Sequence, residues 1–217
     1  MVISCWSAKG GAGTTVVSVS LALVLARRHP AGVLLVDLAG DVPAVLGLAE
    51  PTGPGVAGWV RAGTDVPADA LARLEIDAAP GVGLLARGEG PIVAAERLEI
   101  LAALLAADGR HVVVDCGTIR PGDPVAVVAS AATASLLVTR PCYLALRRAV
   151  AAPIRPSGVI LVDEPGRALD RADVEAVVGV PVRAELELDP GVARAVDAGL
   201  LTARLPRALQ RALGAAA

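Results

Sequence analysis

A glycine-rich stretch near the start of the chain carries the clearest chemistry. Gly10, Gly11 and Gly13 follow the apolar run 2–6 and precede the apolar run 16–26. Glycines let successive backbone N–H groups turn toward one centre, and a helix that begins near Gly13 adds positive partial charge at its amino end. The order strand, glycine loop, helix therefore predicts a binding site for an anion such as phosphate.

Two side chains extend this prediction. Thr15, in the first turn of the helix, places a hydroxyl where a phosphate-bound Mg²⁺ needs a ligand. Lys9 is the only lysine in the chain, which suggests that the site needs a compact ammonium rather than a wide guanidinium. The predicted phosphate-binding residues are Lys9, Gly10, Gly11, Ala12, Gly13, Thr14 and Thr15.

Two apolar runs are each followed by an acid and read as buried strands. Residues 33–36 and 112–114 are entirely apolar, and Asp37 and Asp115 come directly after them. A carboxylate at the carboxyl end of a parallel strand faces the crevice where α/β proteins bind ligands. We therefore expect Asp37 to lie at the same edge of the sheet as the glycine loop.

Buried strand patterns alternate with helical patterns along the chain, with strands at 134–139, 158–163 and 180–184 and helices at 92–107, 172–177 and 192–198. This alternation predicts an α/β fold, a doubly wound, mostly parallel sheet with helices on both faces. Residues 51–91 are richer in proline and glycine and predict a peripheral excursion, with helical pieces at 55–62 and 68–74 and a strand at 82–86. Trp59 is expected to anchor the excursion on the core, and Arg97 to lie on the solvated face of its helix.

Length and composition predict one domain spanning residues 1–217. The chain is 54% hydrophobic, lacks phenylalanine and has a formal net charge of −2, which argues against a strongly cationic nucleic-acid binder. No signal peptide is recognisable, and the run 16–26 is too short to cross a bilayer. The three cysteines show no metal-binding spacing and are expected to be buried in a reducing cytoplasm.

The loop resembles the deviant Walker A motif of the ParA/MinD superfamily, Lys-Gly-Gly-x-Gly-Lys-Thr/Ser, with Lys9 at the position of the signature lysine. The resemblance covers nearly the whole chain and implies a P-loop ATPase fold, bound ATP, and a homodimer in which the lysine reaches phosphate across the interface. The strand ending at Asp115 resembles a Walker B strand, whose aspartate holds Mg²⁺ through water. With this resemblance the predicted metal-site residues are Thr15, Asp37 and Asp115.

The chain departs from the family pattern at several positions. Thr14 stands where the second lysine is expected, and Ala39 stands where the second acid of the first switch region helps to position water. Asp41, two residues further on, could replace that acid only with a different local backbone. Hydrolysis is therefore expected to be impaired, and no catalytic residue is assigned. Val162 or Asp163 occupies the place of an asparagine that contacts adenine in relatives, so base recognition is expected to be weak or to use backbone atoms.

The resemblance leaves three functions open. The degenerate loop favours a spatial organiser of the TadZ/CpaE type, a dimer that positions a pilus or secretion assembly. A partitioning ATPase that moves DNA and a nucleotide-independent structural adaptor are the alternatives.

Two surfaces bear on partners and location. Arginines at 147, 148, 155, 167 and 171 could bind DNA, although a solvated face is the commoner explanation. Leu205, Leu209 and Leu213 form one face of the last helix, which could lie on an anionic membrane or close the core. The expected location is the cytoplasm, with recruitment to a pole or to the inner face of the membrane left open.

Overall fold

The computed structural model describes residues 1–63, 66–67, 69–93 and 95–216. The strands are β1 Val2–Ser7, β2 Val33–Asp37, β3 Glu75–Ala79, β4 Val82–Leu85, β5 His111–Thr118, β6 Ala134–Thr139, β7 Gly158–Asp163 and β8 Val182–Glu187. The helices are α1 Thr14–Ala26, α2 Val42–Leu46, α3 Gly55–Arg61, α4 Ala95–Ala107, α5 Ala126–Ala131, α6 Tyr143–Val150, α7 Arg171–Val178, α8 Pro190–Asp197 and α9 Arg207–Ala216. Ala68 and Ala94, which fall inside predicted helical pieces, lie outside the described residues.

The strands form one sheet in the order β3-β4-β2-β5-β1-β6-β7-β8. Every neighbouring pair is parallel except β3 and β4. The central strands β1 and β2 are buried along their whole length because helices cover both faces, which explains their continuous apolar runs. The predicted doubly wound, mostly parallel α/β fold is confirmed.

Successive residues of β1 point to the two opposite faces of the sheet. Ile3 and Cys5 join the core that packs under α1, α2 and α9, whereas Val2 and Trp6 join the core under α3 to α7. Cys5 and Cys116 are buried free thiols and Cys142 is half-buried. Without phenylalanine, branched aliphatic side chains fill most of both layers.

The segment between β2 and α4 is anchored by Trp59 as predicted, but it is not a purely peripheral excursion, because β3 and β4 extend the main sheet. Of the helix predicted at 68–74, the described residues form only a 3-10 turn at Ala72–Leu74. Trp59 is 6% exposed and belongs to the core. Arg97 was expected on a solvated face, yet it is only 8% exposed, because its guanidinium stacks 3.8 Å from the centre of the Trp59 ring.

The last helix closes the core. Leu205, Leu209 and Leu213 are all buried within the layer that contains α1. This apolar face is therefore covered by the protein itself, which removes the basis for expecting it to lie on a membrane. Across the described residues, no helix combines the length and apolarity needed to span a bilayer.

Candidate functional site

The glycine loop connects β1 to α1 at the carboxyl edge of the sheet. Gly11 and Gly13 adopt left-handed backbone conformations, with φ of 79° and 88°. A Cβ at either position would meet nothing within 4 Å, so the backbone conformation, rather than crowding, requires glycine there. Gly13 caps α1 without a side-chain hydrogen bond, and the first N–H groups of the helix remain available to an anion.

A cavity of about 800 Å³ opens above this loop. Residues 11–16 form one wall, residues 38–45 contribute a second wall through Leu38, Ala39 and Asp41, and residues 116–118 form the floor at the end of β5. The predicted residues Gly11, Ala12, Gly13, Thr14 and Thr15 all line the cavity. The loop thus presents most of its predicted phosphate-binding residues to one space.

Lys9 and Gly10 lie outside this lining. Lys9 is half-buried, and its charge is felt at Glu164, just after β7. Hydrogen bonding from Arg167 is the main cause that lowers the pKa of Glu164, and the Lys9 ammonium contributes to the same direction. Lys9 is thus positioned beside the cavity of its own chain rather than within it.

Asp115 lies directly beneath the cavity and is fully buried. Its Oδ1 accepts hydrogen bonds from the Ser18 hydroxyl at 3.3 Å and from the Gly117 N–H at 3.2 Å. Burial raises the pKa of Asp115 to about 7, and nearby Asp37 acts in the same direction, while the hydrogen bonds from Gly117 and Ser18 oppose the rise. Its Oδ2 is buried and has no hydrogen-bond partner among the described residues.

Asp37 is paired in register with Asp115 across β2 and β5, but its surroundings differ. Its Oδ1 accepts from the N–H groups of Ala39 at 2.9 Å and Gly40 at 2.6 Å, and its Oδ2 accepts from Val42 at 3.2 Å. Burial nevertheless raises the pKa of Asp37. This carboxylate holds the loop between β2 and α2 in place, and its predicted contribution to a metal site remains a prediction.

The oxygen donors at this site fit a magnesium ion that takes its remaining ligands from a bound phosphate and water. The Thr15 hydroxyl belongs to a residue that lines the cavity, and the unpartnered oxygen of Asp115 is buried next to the floor residues 116–118; both are hard oxygen donors. The described residues contain no cluster of three or more histidine, cysteine or acidic side chains able to hold a metal. Phosphate oxygens and water would therefore supply the other ligands, as is usual for Mg²⁺.

The two departures from the loop and switch patterns both lie on the cavity wall. Thr14 is the first residue of α1 and is 7% exposed. Ala39 packs against Gly117, where an added Cβ would lie 2.9 Å from the Ala39 Cβ. Neither side chain brings a charge to the cavity, so the positions that would carry the second lysine and the second acid are neutral.

A second, mostly apolar cavity of about 290 Å³ adjoins the first on the β6–β8 side of the loop. Val162, Leu186 and Leu188 line it, so no side-chain amide stands at the end of β7. The two cavities share Ala12 and Gly13 of the loop, Val16 of α1, and Val196 and Asp197 of α8. Among these shared residues, Asp197 has the side chain that can form hydrogen bonds.

Sequence reasoning missed Arg87 and Asp197, which both line the first cavity. Arg87 follows β4 by two residues and Asp197 is the last residue of α8. The available signal for Arg87 was its place just beyond a predicted strand, at the edge where ligands bind. For Asp197 the sequence offered no comparable signal.

The arginines considered as a DNA surface are not gathered on one face. Arg155 precedes β7 and so lies toward the amino edge of the sheet, whereas Arg167 follows β7 at the carboxyl edge. Arg167 pairs with Glu164 at 2.6 Å, and Arg171 pairs with Glu175 at 3.2 Å. Only Arg147 and Arg148 remain as exposed neighbours on one helix, α6.

Comparison with known proteins identifies the fold. No protein-family model matches the chain, and no curated protein matches it in sequence. Among solved structures, a ParA family ATPase from Chlorobium tepidum TLS superposes with a TM-score of 0.79 at 21% identity, over 98% of this chain and 96% of that one.

Two further structures contain nucleotide. The septum site-determining protein MinD from Pyrococcus horikoshii OT3, complexed with Mg-ADP, gives a TM-score of 0.78 at 20% identity, over 99% of this chain and 93% of that one. An ATP complex of a McdA variant from Cyanothece gives 0.76 at 17% identity, over 99% and 95%. The chain therefore shares the α/β fold of ParA/MinD family ATPases.

Proposed function

We propose that this chain is a nucleotide-dependent positioning protein of the ParA/MinD type, which binds ATP with Mg²⁺ at the glycine loop. The observation that carries the proposal is the pair of joined cavities along that loop. One is walled by the glycine loop and the start of α1, which suits phosphates, and the other is apolar, which suits a base.

The two cavities suggest how the nucleotide lies. Phosphates would occupy the cavity above Gly11 and Gly13, and the base would enter the apolar cavity beside Val162. The sugar would then lie at their boundary, within reach of the Asp197 carboxylate, which could accept hydrogen bonds from its hydroxyls. Because apolar contacts dominate the base cavity, we expect weak discrimination between bases.

Thr15 and Asp115 would hold the metal. When bound, Mg²⁺ neutralises charge on the phosphates and orients them. The Thr15 hydroxyl provides a direct ligand, and the unpartnered Oδ2 of Asp115 can accept a hydrogen bond from a metal-bound water. Ionisation of Asp115, whose pKa is raised to about 7, would accompany this binding.

Hydrolysis is proposed to be slow. A group that positions or deprotonates the attacking water contributes about 10²–10⁴ in rate, and Ala39 offers no such group. Thr14 also lacks the charge that would stabilise the transferred phosphoryl group. Backbone N–H groups and Mg²⁺ can still bind ATP. The neutral residues Thr14 and Ala39 therefore reduce ATP binding less than they reduce ATP hydrolysis.

ATP is further proposed to hold two copies of the chain together. Lys9 lies beside its own cavity, at the edge of the sheet where the cavity opens, and its charge contributes to lowering the pKa of Glu164. From there its ammonium can be offered to phosphate bound by a second copy. Association would then follow nucleotide occupancy.

The cargo we propose is a pilus or secretion assembly, which the dimer would place at one site in the cell in the manner of TadZ/CpaE proteins. The neutral Thr14 and Ala39 favour an organiser that keeps its nucleotide over an ATPase that turns it over rapidly. The scattered arginines give no support to the alternative of a DNA-partitioning ATPase.

Light scattering on the purified chain, with and without Mg²⁺ and ATP, tests this proposal. We expect a shift from monomer to dimer that requires both, and that Lys9→Ala abolishes while ATP binding is largely kept. Arg155→Ala, which removes an exposed positive charge at the opposite edge of the sheet, is the control and should still dimerise. A mass that does not respond to nucleotide would favour the structural adaptor.

A further inference from the structure

We propose that Arg87 binds the terminal phosphate of the nucleotide and supplies the positive charge that Thr14 does not. The inference rests on the proposed nucleotide site and assigns to it a residue from outside the glycine loop. Arg87 lies in the segment that follows β4 and lines the larger cavity opposite the loop.

The charges around the cavity call for such a residue. The acids Asp41, Asp123 and Asp197 line it, and Arg87 is the only basic side chain among the described lining residues. Lys9 is not part of this lining. A triphosphate is strongly anionic, so among the described residues that line this cavity Arg87 is the side chain able to offset its charge.

Arg87 is not committed elsewhere in the described part of the chain. The ion pairs there involve Arg73, Arg110, Arg140, Arg167 and Arg171, but not Arg87. Its side chain is half-buried, and its Cδ would lie 3.4 Å from a Cβ built on Gly40. A guanidinium at a cavity wall that forms no ion pair in the described part of the chain favours an anionic ligand, and its planar fork matches two oxygens of one phosphate.

The order of strands indicates which phosphate this is. The apolar cavity lies at the ends of β6, β7 and β8, on one side of the glycine loop, while β4 lies on the other side, separated from β5 only by β2. With strands about 4.8 Å apart, a nucleotide whose base fills the apolar cavity runs across β1 and β5 toward β2 and β4. The Arg87 side chain reaches back over β2, since its Cδ lies 3.4 Å from a Cβ built on Gly40. The terminal phosphate therefore approaches Arg87, and the inner phosphates stay with the loop.

The test compares the affinities of ATP and ADP, each with Mg²⁺, for the wild-type chain and its variants. Arg87→Met keeps the aliphatic stem that packs near Gly40 and removes the charge. We expect Arg87→Met to weaken the affinity for ATP about 10- to 100-fold, which is the value of a charged hydrogen bond. The affinity for ADP should change by less than about threefold. Arg87→Lys should retain part of the ATP affinity, since a point charge remains without the fork.

Arg155→Ala is the matched control for the loss of one positive charge and should leave both affinities unchanged. Adding Thr14→Lys to Arg87→Met should restore ATP affinity, because the new ammonium reaches the same phosphates from the loop. Equal losses for ATP and ADP, or an ATP affinity unchanged in Arg87→Met, would overturn the assignment while leaving the nucleotide site in place. A wild-type chain that binds neither nucleotide would overturn both proposals.

Discussion

Replacing Asp115 by asparagine is expected to stabilise the nucleotide-free protein at pH 8 while weakening its response to Mg²⁺. Asp115 is fully buried, and one of its oxygens has no partner among the described residues. An ionised carboxylate in this setting costs folding free energy, because it has lost its hydration. An amide of the same shape carries no charge and avoids that cost.

The magnitude follows from the pKa of the carboxyl. Burial raises it from 3.8 to about 7 in the folded protein. Because the folded state holds the proton more tightly than the unfolded chain, Asp115 lowers stability as pH rises from about 4 to about 7, by about 1.4 kcal/mol for each pH unit. The full loss above pH 7 is therefore on the order of 4 kcal/mol. We expect Asp115→Asn to recover about 2–4 kcal/mol, because the amide retains the hydrogen bonds of the carboxylate only in part.

Urea denaturation of the two proteins at pH 5, 6, 7 and 8 measures this difference. The advantage of Asp115→Asn should grow with pH and level off above pH 7, whereas Asp77→Asn, at an exposed position of β3, should differ little from wild type at any pH. Adding Mg²⁺ and ATP should also raise the free energy of unfolding of Asp115→Asn by less than it raises that of the wild type. If Asp115→Asn is less stable than wild type at pH 8, the buried carboxylate does not destabilise the folded protein.

Three further predictions concern the packing of the fold and the site. In urea denaturation, Gly47→Ala should lower the free energy of unfolding by about 1–3 kcal/mol more than Gly179→Ala does. The two glycines have similar φ, 73° and 78°, but an added Cβ lies 2.5 Å from a carbonyl oxygen at Gly47 and meets nothing within 4 Å at Gly179. Equal losses of stability would exclude the clash as the cause. Asp197→Ala should weaken ATP binding about tenfold and abolish a preference for ATP over 2′-deoxy-ATP, so a wild type that binds both equally contradicts the assigned sugar contact. Thr14→Lys combined with Ala39→Asp should raise the rate of phosphate release by at least about tenfold; a double variant that binds ATP tightly yet stays inert would show that these positions are not equivalent to the family's lysine and acid.

Features set by local sequence were predictable. The strands around Asp37 and Asp115 are buried on both faces, so their apolar runs carry the signal, and the glycine loop needs backbone conformations that few other residues adopt. By contrast, β3 is a partly exposed antiparallel edge strand in which acids interrupt the apolar residues. Its pattern resembles a loop, and a short helical piece was expected just before it.

The other misses depend on which distant segments meet. Arg97 is buried because Trp59 offers it an aromatic face, and nothing in the helix pattern indicates that contact. Arg87 and Asp197 reach the cavity because of the order of the strands and the course of α8. An amphipathic pattern also cannot tell whether its apolar face meets a membrane or the core, and for Leu209 the answer is the core.

Calorimetric titration of the wild-type chain with ATP in the presence of Mg²⁺ tests whether the two adjoining cavities hold a nucleotide. We expect binding in the micromolar range that weakens when Mg²⁺ is removed. An absence of heat at millimolar ATP, in a protein whose circular dichroism shows it to be folded, would contradict this expectation and leave the glycine loop as a structural turn.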